Sequence, residues 1–221
     1  VFIDHWINHK TDSYTYICYA DEYEQILEIP KIIGKLDIDD YKDVDILKIF
    51  DKEVIKYIIF ALENERQDYD YFINLINIRR TKNFYEDYKN IYEALLSYLE
   101  MAKLKLELKN VIMQKKANIL VKYYSNTLYR FDYNYRKFYL NYDVRPESEI
   151  MNRLKNLVEN IYVNWYLSEL STTWNYELTE EYLSSWRIPE VLNQKDFYKE
   201  KVKKMLDSGD KVFVIISDAL R

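Results

Sequence analysis

The chain has 221 residues, 48% of them apolar and 31% charged, a balance that supports a packed core and excludes a disordered polymer. With 2 glycines, 3 prolines and 1 cysteine, it excludes sandwiches and barrels that turn every ~8–12 residues, glycine-rich phosphate loops, internal disulfides and thiolate zinc sites. A net charge of −5 gives no global attraction to nucleic acid or anionic membrane.

In chain order, residues 40–66 carry Ile46, Phe50, Val54, Tyr57 and Ala61 at three- and four-residue steps, which predicts a helix. A second is expected over 84–108, where Tyr88, Tyr92, Leu95, Leu99, Ala102 and Leu106 alternate steps of four and three. A third, over 118–142, carries Leu120, Tyr124, Leu128, Phe131, Tyr135, Phe138 and Tyr142, and Pro146 follows it. A fourth starts near Pro146 and turns Ile150, Leu154, Leu157, Ile161 and Trp165 inward. Sustained seven-residue repeats predict antiparallel bundle packing. Coiled-coil pairing with a second chain is the rival, and the aromatic seams are bulky for it. Helix is expected over most of 40–185.

The pattern changes after Trp186-Arg187-Ile188-Pro189, because a residue before proline is pushed toward extended backbone. Asn193 and Asp196 resemble a helix start, Tyr198, Val202, Met205 and Leu206 form a stripe, and Ser208-Gly209-Asp210 ends it. Residues 212–216, continuously apolar and rich in β-branched side chains, read as a strand buried on both faces of a parallel sheet. The division expected is a helical accessory domain over 1–188 and the start of an α/β domain over 189–221. With no initiator Met and a strand-like end, both termini read as cuts in a longer polypeptide. No apolar run approaches the ~20 residues of a membrane span, and residues after Val1 lack a signal-peptide pattern, so a cytoplasmic protein without membrane association is the expectation.

Four groups of residues are candidates for chemistry. His5 and His9 have the spacing of two metal-binding histidines on one helix face, but Trp6 stands where a metalloprotease has Glu, and packed or surface histidines fit better. Asp37, Asp39, Asp40, Asp43 and Asp45 cluster, yet Tyr41 and Lys42 break a calcium-loop pattern, and a solvated helix start explains them better. Arg79, Arg80 and Lys82, beside Phe84 and Tyr85, form the one dense basic stretch with neighbouring aromatics and could contact a phosphate or nucleic-acid backbone. Surface ion pairing is the plainer reading. Asp218 directly follows the apolar strand, where ligands of open α/β sheets collect, so it is placed as a metal ligand or catalytic acid, or as a helix cap.

The segment VFVIISDALR at 212–221 resembles the start of the PglZ domain of the alkaline-phosphatase superfamily. IDHW at 3–6, INIRRTKNFY at 76–85, YEALL at 92–96 and WRIPEVLNQKDFY at 186–198 resemble the same proteins, so the resemblance spans essentially the whole chain. It implies a mainly α chain: a long-helix bundle, then the first helix–strand unit of a truncated alkaline-phosphatase-like α/β domain. It implies a metal-dependent phosphatase- or phosphodiesterase-like parent in the BREX phage-defence system of bacteria, with other BREX proteins as partners and possible nucleic-acid contact through the parent. Asp218 matches the first metal ligand of that family; its nucleophile and other ligands would lie past Arg221. A divalent, zinc-like metal is therefore expected in the complete protein and none in this segment alone, which is expected to be inactive. The alternative is a helical module that docks defence proteins or nucleic acid.

Overall fold

With so few glycines and prolines, little in this chain interrupts a helix once it has started. The computed structural model describes residues 2–108, 116–144 and 148–215, and these form helices with no strand among them. Three short or peripheral helices come first: α1 (Phe2–Ile7), α2 (Ser13–Ile26) and α3 (Ile29–Ile33). A single turn, α4 (Ile38–Tyr41), precedes α5 (Ile49–Glu63), α6 (Tyr69–Arg79) and the long α7 (Tyr85–Leu108). Next come α8 (Ala117–Tyr123) and α9 (Tyr129–Tyr142), joined without a break by a wider π-helical turn at Tyr124–Leu128. The same device at Tyr162–Leu167 joins α10 (Glu149–Ile161) to α11 (Ser168–Glu177). The described chain ends with α12 (Glu180–Ser185), a 3-10 turn at Gln194–Asp196, a π turn at Tyr198–Lys203 and α13 (Lys204–Asp207).

Helix α7 is the axis of the core, with α5, α6, α9 and α10 packed around it. Every residue from 94 to 99 is buried, including Ser97, whose hydroxyl donates to the Glu93 carbonyl. A helix that is apolar all round must be covered all round. Of its expected stripe, Tyr92, Leu95, Leu99 and Ala102 are buried, whereas Leu106 is 42% exposed. The expected helices over 84–108 and 118–142 thus form. The outer half of the second, α8, packs on α11, while its inner half, α9, packs on α7.

The expected helix over 40–66 begins only at Ile49. Between α4 and α5 the carbonyls of Lys42 and Val44 accept hydrogen bonds from Arg79 at 3.0 and 2.6 Å, so they are turned away from helical pairing. The aspartates just before this break do mark a helix start: the Asp37 N–H donates to Asp40 Oδ2 at 3.0 Å.

At the C-terminal end, Asn193 caps the 3-10 turn by accepting from the Lys195 N–H, and Gly209, at φ +84°, stops α13. The Asp210 and Gly209 N–H groups there reach the Met205 and Leu206 carbonyls, the two bonds of a Schellman stop. Of the stripe expected after Asn193, only Val202 is buried. Residues 211–215 have no regular secondary structure, and Phe213 and Ile215 are 88% and 90% exposed. The described part of the expected strand is therefore not formed; a single extended segment has no ladder to pair its N–H and C=O groups. The rest of it, with Asp218, lies outside the described residues.

Candidate functional site

The basic stretch at the end of α6 is where expectation and geometry differ most. Arg79 is fully buried, and so is Asp51 in the first turn of α5. The guanidinium grips the carboxylate with both prongs, Nε to Oδ1 at 2.9 Å and Nη2 to Oδ2 at 2.7 Å. Its Nη1 donates to the Lys42 and Val44 carbonyls, and the Tyr92 hydroxyl of α7 donates to Asp51 Oδ1 at 2.7 Å. Burial alone would lower the Arg79 pKa, but the Asp51 carboxylate beside it holds the guanidinium above its ordinary value. A buried charge persists only when paired and hydrogen-bonded in this way. Arg79 offers no donor to a phosphate or nucleic-acid backbone, which corrects that reading for this residue.

Its neighbours are occupied too. Arg80 Nη2 reaches Glu93 Oε1 at 2.6 Å, Lys137 reaches Glu93 Oε2 at 3.0 Å, and the Tyr85 hydroxyl donates to Glu93 Oε1 at 3.0 Å. Lys82 lies 3.6 Å from Asp43. Phe84 and Tyr85, which would have stacked bases, are buried, and Tyr85 stacks on Tyr92 with centroids 5.3 Å apart. The motif is a latch between helices, with Arg80 and Lys82 reaching the surface already paired to acids.

Burial pushes the Glu93 carboxyl upward, but hydrogen bonds from Arg80, Lys137 and Tyr85 outweigh it and hold the group below the usual glutamate range. A carboxyl depressed on folding contributes stability above its unfolded value, and that contribution is lost as pH falls through the folded one. Glu93→Gln is therefore expected to lower the melting temperature at neutral pH and to flatten its decline below about pH 4.5. Thermal melts across that range check it; an unchanged acid decline in the variant would contradict the assignment.

The remaining candidates do not converge. α1 ends at Ile7, so His5 and His9 share no helix face, and His9 Nδ1 lies 3.0 Å from Asp12 instead. The aspartates are spread among separate partners: Asp39 with Lys42, Asp43 with Lys82, and Asp45 accepting from Asn83. Cys18 is free and exposed. Among the described residues no three His, Cys, Asp or Glu side chains come together in a way that could hold a metal ion. Asp218, the one ligand the resemblance implied, lies outside them. No described helix is long and apolar enough to cross a membrane.

Sequence reasoning passed over Asp51 and Tyr92 as parts of a site. The available signal was a carboxylate, Asp51, in line with Ile55, Ile58 and Leu62 at steps of four, three and four, on an apolar arc where only a paired charge can sit.

Fold and site together define a helical module built on a buried ion-pair hub. No protein-family model matches the chain, and no solved structure matches it. Over all 221 residues it is 32% identical to the alkaline phosphatase-like protein PglZ of Bacillus cereus (strain H3081.97), covering 26% of that protein. Over 168 residues, 72% of this chain, it is 34% identical to the alkaline phosphatase-like protein BrxZ of Escherichia coli O9:H4 (strain HS), covering 19% of it. The chain spans about a quarter or less of the length of these curated relatives. It belongs to the PglZ family.

Proposed function

We propose that this chain is the helical part of a PglZ-type, metal-dependent phosphatase- or phosphodiesterase-like protein of bacterial phage defence, and that it holds no complete active site itself. The observation that carries this is the match of the whole chain to only 26% of a protein named alkaline phosphatase-like. In this reading residues 1–188 are an accessory helical domain, 189–221 open the α/β domain, and Asp218 is its first metal ligand. The metal would position and polarise a phosphoryl group. The protein would work in the cytoplasm beside other BREX proteins.

The purified 221-residue chain is expected to leave a chromogenic phosphate ester intact in zinc, magnesium or manganese. The longer polypeptide is expected to hydrolyse it, and Asp218→Asn to reduce that at least about tenfold, or ~1.4 kcal/mol. Turnover by the chain alone, abolished by Asp218→Ala, would overturn the division of labour.

A second reading, a helical module that docks other defence proteins, is favoured by the bare apolar side chains near the end of the described chain, among them Leu183 and Trp186, the latter 82% exposed. Co-purification of BREX proteins with the isolated chain, lost in Trp186→Ser, tests it.

A further inference from the structure

One cleft of about 800 Å³ lies where the α5–α6 connection meets α7 and the α10–α11 helix, and several polar side chains line it. Tyr98 lines it, is only 7% exposed, and makes no hydrogen bond among the described residues. No fully buried side-chain polar atom among the described residues lacks a partner, so the Tyr98 hydroxyl is not fully enclosed, and Tyr98 lines this cleft. Tyr69, also in the wall, has no hydrogen bond among the described residues either. Lys105 makes no ion pair among the described residues; its ammonium sits 5.0 Å from the centre of the Trp165 ring. Burial raises both tyrosine pKa values, so the hydroxyls stay protonated donors at neutral pH.

The other charges in the wall are mostly spent. Glu63 accepts from Arg153 Nε at 2.8 Å, and Arg66 is held by Asp68 at 2.6 Å, its guanidinium lying over Tyr57. Glu65 is an acid with no partner among the described residues. Among the described residues the cleft thus offers one cation outside any ion pair, resting on the Trp165 ring, one unpaired acid, two hydroxyl donors and apolar lining that includes Leu62 and Ala102. Its volume falls within the ~300–1,000 Å³ of small-molecule sites and is far more than a bare anion fills.

From this set of groups we infer that the cleft binds a nucleoside monophosphate. Lys105 takes the phosphate as a charge-assisted donor, Tyr69 and Tyr98 donate to base or ribose acceptors, and the base lies flat against the apolar and aromatic wall. This site uses none of the residues of the phosphatase-like reading and stands whether or not that reading holds.

Calorimetric titration of the protein with adenosine 5′-monophosphate is the test, with adenosine and inorganic phosphate as separate arms. Saturable nucleotide binding is expected, with each half binding at least about tenfold more weakly than the whole. Lys105→Met is expected to weaken nucleotide binding about tenfold while leaving adenosine binding unchanged. Tyr98→Phe, which removes only the hydroxyl, is expected to weaken it several-fold with the melting temperature retained. Absence of saturable binding overturns the inference, as does binding indifferent to Lys105→Met. Phosphate alone binding as tightly as the nucleotide overturns it too, because the cleft walls would then contribute nothing.

Discussion

Arg79→Met is expected to cost about 3–5 kcal/mol of folding stability, the largest effect of any single change in the α5–α6–α7 hub. Methionine fills much of the volume, so the loss comes from electrostatics. Asp51 would keep one hydrogen bond, from Tyr92, and lose both charged donors in a place with no access to water. The Lys42 and Val44 carbonyls would lose their partner in the same step. Urea titration of wild type and variant measures the cost. Adding Asp51→Leu removes the stranded charge, and the double variant is expected to recover most of the deficit, because the penalty belongs to an unpaired ion rather than to the missing bridge. A double variant as unstable as Arg79→Met would show that the pair is needed for shape, through the two carbonyls, more than for charge.

Phe131→Ala is expected to cost a similar amount, about 3–5 kcal/mol, for an unrelated reason. Phe131 has no exposed surface; its ring stacks on Tyr166 at 4.4 Å and meets the edge of Trp165 at 5.7 Å. Truncation leaves a cavity between α9 and the π turn at Tyr162–Leu167 that a rigid helix pair cannot close. Phe131→Leu keeps most of the volume and is expected to lose less than half as much. Equal losses for Ala and Leu in urea titration would mean that ring stacking, and not filled space, holds these helices together.

Much of the bundle was legible because burial there follows local periodicity. Tyr92, Leu95, Leu99 and Ala102 fall on one line of α7, and all four are buried. The 42–48 break was illegible because its cause is remote: those carbonyls are turned by an arginine 35 to 37 residues further along. The same arginine misled the reading of the site. Arg79-Arg80-Thr81-Lys82 looks uniformly basic as a string, yet adjacent helical residues point about 100° apart, so one faces the core while its neighbour reaches solvent. The C-terminal strand could be read only as a type, since a strand becomes a strand through its neighbours, and nothing in 212–215 says which these are.

The wide turn at Tyr124–Leu128 makes the stretch from Ala117 to Tyr142 a continuous rod with two differently aimed faces. A π turn takes in one residue more than an α turn, and one residue is worth about 100° of rotation. Leu120 can therefore face α11 beside Leu170 and Trp174 while Phe131 and Phe138 address the core. Length has been converted into angle without any loop, and the Tyr124 and Tyr162 hydroxyls, both donating to Asp132, tie the two wide turns at that setting. An insertion that would elsewhere throw every later side chain out of register is absorbed here as a twist, so the helix transmits position along its axis while its two halves remain independently aimed.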